Sequence, residues 1–265
     1  MKILGILNIT TDSFSDGGKY LEPGAALFHA QAMAQVGADI IDIGAASSNP
    51  GAMAVTPEVE IARLASVIPV LKQKGLSLSV DSFSTDVQRW ALAQGVDILN
   101  DIHGFADAGF YPELAEADVK LIVMHMVQER GVAVRTDVPS AEIFDRVTRF
   151  FDTRIATLEK AGIARDRLIL DPGMGQFVGT DPANSLILLR RLPELKARYG
   201  LPVLVSVSRK GFLRKLAGRP AGEAGAASLA AELFADANGA DYIRTHAPGA
   251  LRDGLKVLKS LGQDR

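Results

Sequence analysis

Eight times along the chain a short apolar run gives way to a loop and then to an amphipathic stretch. The runs fall at 3–7, 40–43, 76–80, 96–99, 121–124, 168–170, 203–207 and 242–243. They are short and mostly unbroken rather than alternating, as strands covered on both faces are. Strands separated by helical patterns pair in parallel through crossovers, because no tight turn can join parallel neighbours. Eight such units in 265 residues favour a closed barrel over an open doubly wound sheet. The expected fold is therefore of the α/β class, a (β/α)8 TIM barrel forming a single domain over 1–265.

Helical spacing between the runs supports this. Ile61, Leu64, Ile68 and Leu71 form one stripe behind Thr56-Pro57-Glu58, a cap with proline in the first turn. Ile143, Val147, Phe151, Ile155 and Leu158 form a longer stripe, opened by Ser140 and stopped near Gly162. Leu251, Leu255 and Leu258 form the last.

Composition narrows the function class. Twenty-nine Lys and Arg against 31 Asp and Glu leave a formal charge of -2, which argues against a non-specific nucleic-acid partner. The absence of cysteine removes disulfides, thiolate metal sites and cysteine nucleophiles together. The opening run is too short for a signal peptide, and no stretch approaches the ~18 apolar residues of a membrane span, so a cytoplasmic protein without a membrane partner is expected.

The informative residues are those on which the runs end. They are Asn8, then Asp42 and Gly44, Asp81, Asn100-Asp101, His125, Asp171, Ser206 with Ser208, and Arg244 with His246. In a barrel these ends converge on one mouth, where ligands bind. Polar residues after strands also serve as turn formers and helix caps, and for Asp42, Asp101 and Ser206 both readings stand. Arg244 and His246 precede no helix that they could cap. Two carboxylates and an amide (Asp81, Asp171 and Asn100) suit a flat heterocycle with an aminopyrimidine edge, since a carboxylate accepts a pair of N–H bonds. Ser208-Arg209-Lys210 and Arg244-Thr245-His246 follow the last two runs, the usual anion site of a barrel.

These residues carry a resemblance. Asn8-Ile9-Thr10-Thr11-Asp12-Ser13-Phe14-Ser15-Asp16-Gly17-Gly18 resembles the opening signature of the dihydropteroate synthases, Leu170-Asp171-Pro172-Gly173-Met174-Gly175 their sixth-strand motif, and Ser208-Arg209-Lys210 their seventh. Asn100-Asp101-Ile102, Met124-His125-Met126 and Ile243-Arg244-Thr245-His246 follow in the family's order, so the likeness spans the chain.

The resemblance implies a transferase of folate biosynthesis that joins 6-hydroxymethyl-7,8-dihydropterin diphosphate to p-aminobenzoate, with Mg2+ and as a homodimer. By the same resemblance Asp81, Asn100, Asp171 and Lys210 hold the pterin, with Met124 beside its ring. Asn8 is the implied metal ligand, and Arg244 and His246, assisted by Ser48, bind the diphosphate. Asp12 and Asp16 belong to a first loop that closes on the leaving group. Ser208, Lys210, Pro50 and the loop after Asp171 border the p-aminobenzoate pocket.

Two segments depart from the family pattern. Gly44-Ala45-Ala46-Ser47-Ser48-Asn49-Pro50-Gly51 carries Asn49 where an arginine is common, and Gln176-Phe177-Val178 replaces Phe-Gly/Ala-Lys. Both lie in loops assigned to the p-aminobenzoate side. This division resembles the acquired, sulfonamide-insensitive branch, with Phe177 as the residue that reshapes the pocket and Val178 as a lost anion contact. The rival readings are a pterin-dependent methyltransferase, which has no need of the Ser208-Arg209-Lys210 anion site, and a non-catalytic pterin-binding barrel.

Overall fold

A computed structural model of the chain describes residues 1–10, 20–48, 51–128, 131–133 and 136–262. Its eight strands are β1 (Lys2–Asn8), β2 (Ile40–Gly44), β3 (Leu78–Asp81), β4 (Ile98–Asp101), β5 (Lys120–Met124), β6 (Leu168–Asp171), β7 (Leu204–Val205) and β8 (Tyr242–Thr245). All pair in parallel, in the order β6-β5-β4-β3-β2-β1-β8-β7, and a bridge between Leu170 and Val203 closes the ring. The expected barrel is present.

Its seam is thin, and the run expected at 203–207 is a strand over only Leu204–Val205. Two local causes combine. Pro202 has no N–H to give, so it contributes only its carbonyl, which accepts the Leu170 N–H at 2.9 Å. The next amide, of Val203, is diverted to the Asp241 carboxylate at 2.9 Å.

That diversion is one of three. Gly37-Ala38-Asp39, Gly95-Val96-Asp97 and Gly239-Ala240-Asp241 each lead into a strand, and each glycine has positive φ (115°, 67° and 104°). Each aspartate then accepts the N–H of a neighbouring strand's residue: Ile3 at 2.7 Å, Leu78 at 2.8 Å and Val203 at 2.9 Å. The device ties off the bottom of the barrel, away from the mouth.

The helices correct the sequence reading in two places. The stripe from Ile61 to Leu71 is broken into helices Pro57–Ala65 and Ile68–Gln73, because Pro69 can only be accommodated in a first turn. Thr56 takes the N-cap position without a capping hydrogen bond to the backbone. The long helix runs Ile143–Lys160 and starts behind Glu142, two residues later than Ser140 implied, and its stripe from Ile143 to Leu158 is buried as expected. Helix Pro248–Ser260 follows β8. Among the described residues no helix is long and apolar enough to cross a membrane.

Period-two alternation positions the site. Leu4, Ile40, Ile98, Ile122, Ile169, Leu204 and Tyr242 form one buried cluster, the barrel floor. Two residues further along the same strands stand Ile6, Asp42, Asn100, Met124, Asp171, Ser206 and Arg244. One more step reaches Asn8, Gly44, Ile102, Met126, Gly173, Ser208 and His246 at the mouth. The outward-facing residues, such as Ile3, Leu7, Ile41 and Ile43, stay apolar and pack under the helices. Gly5 lets helix Pro23–Gln35 come close, since a Cβ there would stand 3.0 Å from Met33 Sδ. Most strands thus lay an apolar floor and then a polar tier, Ile6 and Met124 being the apolar members of that tier.

Candidate active site

The middle tier is organised by Arg244. Its Nε donates to Asp42 Oδ2 at 2.5 Å and its Nη2 to Asp81 Oδ2 at 2.7 Å, so one guanidinium ties β8 to β2 and β3. Burial opposes its charge, but Asp42 and Asp81 outweigh burial and raise its pKa. Asp81 itself is pushed up to about 7 by burial, against the pull of Arg244 and with repulsion from Asp42, Glu60 and Asp101. Asp42, left open by the sequence, is therefore the inner clamp of Arg244. Its signal was present in outline: a carboxylate two residues beyond the floor residue Ile40.

Across the tier, burial pushes Asp171 up to about 6, opposed by the Gly173 N–H that its Oδ1 accepts at 2.8 Å and by Lys210 and Arg244. Asp42 Oδ1, Ser79 Oγ and Asn100 Oδ1 are buried without a partner among the described residues. Leaving such an atom unpaired costs about 1–3 kcal/mol, so the tier is built to receive donors from a ligand. Met124 supplies an apolar wall with Ile102 and Met126, against which Phe83 and Phe177 pack.

Two residues that ended strands in the sequence do other work. Asp101 accepts the N–H groups of His103 at 2.8 Å and Phe105 at 2.9 Å, holding a turn in which Phe105 has φ 61°. His125 points away from the cavity: its Nδ1 meets the Pro172 carbonyl at 3.1 Å, its ring stands edge-on to Phe150, and burial holds it neutral, down to about 4. It is a structural histidine rather than a base.

Above this tier a cavity of about 170 Å³ is lined by Asn8, Ser48, Asp81, Phe177, Ser208, Lys210, Arg244 and His246. Eight of the residues singled out in the sequence thus face one space, while Asn100, Met124 and Asp171 occupy the tier beneath. Asp12, Asp16, Asn49 and Pro50 lie outside the described residues.

Helix Gly211–Ala217 begins directly after Lys210, and the loop before it holds Arg209 at φ 57°. Ser208 Oγ accepts the His246 N–H at 3.2 Å and lies 3.1 Å from His246 Nδ1. Burial, reinforced by Arg209, Arg244 and Lys210, drives His246 down to about 3, so it is neutral at pH 7. Lys210 is lowered to about 8 by burial, partly offset by Asp171, and its Nζ stands 4.8 Å over the Phe177 ring.

Val178, which shares its loop with Phe177, turns away from the cavity. Val178 is fully buried in the main core, where its Cγ1 closes on Gly173. The 3-10 turn Gly175–Val178 rotates successive side chains by about a third of a turn, so Phe177 lines the cavity and Val178 faces inward.

A family model described as pterin binding enzyme matches residues 4–246. A dihydropteroate synthase type-2 from Escherichia coli is 56% identical over 259 residues, which is 98% of this chain and 95% of that protein. The chain belongs to the dihydropteroate synthase family. Solved members share the fold: the Yersinia pestis dihydropteroate synthase, determined with a sulfonamide drug, gives a TM-score of 0.92 at 32% identity over 100% of this chain and 94% of that one. The Xanthomonas albilineans dihydropteroate synthase with 4-aminobenzoic acid gives 0.88 at 38% identity over 100% and 94%.

Proposed function

We propose that this transferase condenses 6-hydroxymethyl-7,8-dihydropterin diphosphate with p-aminobenzoate, giving dihydropteroate and pyrophosphate, and that it does so despite sulfonamides. The observation that carries the reading is the gathering of Asp81, Lys210, Arg244 and His246 on one cavity at the barrel mouth, with Asn100 and Asp171 in the tier of Arg244. The C–O bond to the diphosphate breaks with its electron pair leaving on oxygen. The arylamine nitrogen then bonds to the methylene carbon and sheds a proton. Arg244, Lys210 and His246 answer charge growing on the leaving group. Asp81 and Asp171 answer cationic charge spreading into the ring. An arylamine is neutral at pH 7, so no base must activate it, in accord with the outward, neutral His125. A cytoplasmic homodimer completes this reading.

The residues present fit Mg2+ carried on the substrate. Among the described residues no cluster of three His, Cys, Asp or Glu could cage a metal. Mg2+ commonly keeps its waters and takes phosphate oxygens with one or two protein oxygens. Asn8 Oδ1 stands at the mouth beside Gly44, where an added Cβ would meet it at 3.6 Å, an ordinary contact. Bound there, Mg2+ supplies Lewis-acid neutralisation of the diphosphate. Purified protein should release pyrophosphate only when pterin diphosphate, p-aminobenzoate and Mg2+ are all present. EDTA should abolish release, added Mg2+ should restore it, and Asn8→Ala should raise the Mg2+ needed. Release without p-aminobenzoate, or none from folded protein, would sink the proposal; a pterin-dependent methyltransferase would give none.

Asp171 offers a test of the pterin tier. Asp171→Asn replaces a carboxylate oxygen by a donor facing a ring N–H, and pterin affinity should fall roughly tenfold, the scale of a charge-assisted hydrogen bond worth about 1.5–3 kcal/mol. The ionised form is the acceptor, and the group is pushed up to about 6. Affinity should therefore be full above that pH and weaken as pH falls through it, and the asparagine variant should lose most of that dependence. Calorimetry across pH 5 to 8 decides (roughly one pH unit either side of that value and beyond).

A further inference from the structure

Behind the turn that carries Phe177 lie two buried polar residues that the mechanism above does not use. Asn184 and Ser185 stand in the first turn of helix Pro182–Arg190, and both are fully buried. Ser185 Oγ accepts the Gly175 N–H at 2.9 Å, at the entry to the Gly175–Val178 turn. Asn184 Nδ2 donates to the Val178 carbonyl at 2.7 Å, at the exit. Two neighbouring side chains on one helix thus hold the turn at both ends, with Phe177 between them.

The amide reaches further. Its Nδ2 also donates to the Val138 carbonyl at 3.1 Å, in the segment that follows β5. Two carbonyl oxygens meeting one side-chain atom identify it as the amide nitrogen, and both of its N–H groups are engaged there. The same segment grips the turn at other points. The Val127 N–H donates to the Phe177 carbonyl at 2.9 Å, and the Thr136 carbonyl accepts the Thr180 N–H at 3.0 Å. Gly179, at φ 107°, brings the chain so close that an added Cβ would stand 2.9 Å from Asn184 Nδ2. Asn184 therefore sits where the loop after β5, the loop after β6 and helix Pro182–Arg190 meet.

Its other oxygen shows that stability alone does not account for it. Asn184 Oδ1 is buried without a hydrogen-bond partner among the described residues, and an acceptor left so lowers stability. What the amide supplies is a fixed backbone on either side of Phe177. Steric refusal of a bulky ligand is only as strong as the resistance of the residue that makes the clash. The ring of Phe177 travels with its backbone, so a turn free to shift would relieve the clash without any change of rotamer.

We infer that Asn184 is a positioning residue for the choice between p-aminobenzoate and sulfonamides, holding Phe177 in place through the Gly175–Val178 turn, with Ser185 as the lesser partner. This rests on the reading of Phe177 as the residue that refuses the drug. It extends that refusal to a buried framework that lines no part of the cavity.

The experiment compares wild type, Asn184→Ala, Ser185→Ala, Phe177→Gly and Asn184→Ala combined with Phe177→Gly. For each protein the sulfamethoxazole inhibition constant, kcat, and KM for p-aminobenzoate and for the pterin diphosphate are measured. Asn184→Ala should lower the inhibition constant at least fivefold, a large part of the penalty that overpacking imposes, with both KM values changed less than twofold. Ser185→Ala should move the same constant in the same direction by roughly twofold, since it cuts one hydrogen bond rather than two. In the Phe177→Gly background Asn184→Ala should add little, because the ring that it positions is gone. A general packing defect would weaken every ligand, whereas here one ligand alone binds more tightly. The inference is overturned if Phe177→Gly lowers the inhibition constant but Asn184→Ala leaves it within twofold of wild type. It is overturned equally if drug and both substrates weaken together, or if the effect of Asn184→Ala persists undiminished without the Phe177 ring. If Asn184→Ala does not fold, Ser185→Ala decides by the same pattern, alone and in the Phe177→Gly background. Wild type already inhibited at low micromolar drug, or Phe177→Gly as insensitive as wild type, fails the reading of Phe177 and this inference with it.

Discussion

Arg244→Met is expected to lower kcat/KM for the pterin diphosphate at least thirtyfold, from about 2 kcal/mol or more of lost transition-state stabilisation. The same change should lower stability, because it strands two carboxylates. Asp42 is fully buried and Asp81 mostly so, and the guanidinium bonds both. Removing one partner from a buried pair typically costs about 3–5 kcal/mol. Part of that is recoverable, since Asp81 is already pushed up to about 7 and can take a proton once the arginine is gone. Its folded-state pKa in the variant is raised further above the unfolded value. Stability is then retained while the acid is protonated and lost as pH rises through that pKa. The gap in unfolding free energy between wild type and variant should consequently widen from mildly acidic to alkaline pH. Denaturant titrations across that range check it. In an Asp42→Asn background the arginine substitution should cost less. A pH-independent gap would mean that Arg244 contributes packing rather than charge.

The dependence of Arg244 on Asp42 illustrates what the sequence did and did not disclose. Strand ends were legible because buried strands of a barrel leave few places for polar side chains, and those places recur two residues beyond the floor. Asn8, Asp81, Lys210, Arg244 and His246 could therefore be brought to one mouth without coordinates. Which polar residue faces a ligand and which faces its neighbour was not legible. Asp42, Asp101 and Asp171 have one-dimensional surroundings of the same kind, a carboxylate at the end of an apolar run, and only the third dimension separates the clamp of Arg244, the turn builder and the buried acid that accepts the Gly173 N–H. His125 and Met124 are adjacent, yet period-two alternation puts one outside the barrel and one inside. The short β7 and the helix broken at Pro69 were missed because periodicity was allowed to override proline, whose missing N–H the backbone cannot ignore. Phe177 and Val178 share a loop assigned to the p-aminobenzoate side, but that loop is a 3-10 turn, where neighbours diverge, and only Phe177 lines the cavity.

Phe177→Gly is expected to tighten sulfamethoxazole binding at least tenfold while changing KM for p-aminobenzoate only a few-fold. The drug replaces a planar carboxylate with a tetrahedral sulfonyl group bearing a further ring, so selective refusal needs volume just past the carboxylate. Phe177 is held in position to provide it. Its carbonyl accepts the Val127 N–H at 2.9 Å, its side chain packs against the Ile102, Met124 and Met126 cluster, and the Lys210 ammonium lies over its ring, 4.8 Å from the centroid. A ring held by these contacts does not swing aside for a bulkier ligand at small cost. Overpacking of that kind typically costs about 1–3 kcal/mol, a tenfold to hundredfold penalty directed at the drug. The ring also steadies Lys210, a cation–π contact worth about 0.5–2 kcal/mol, so its removal should raise the substrate KM slightly rather than lower it. Opposite movement of the two constants is the signature: the inhibition constant falls as KM holds or rises. Parallel tightening of drug and substrate would show that Phe177 merely narrows the entrance, and wild-type inhibition at low micromolar sulfamethoxazole would end the idea at the first measurement.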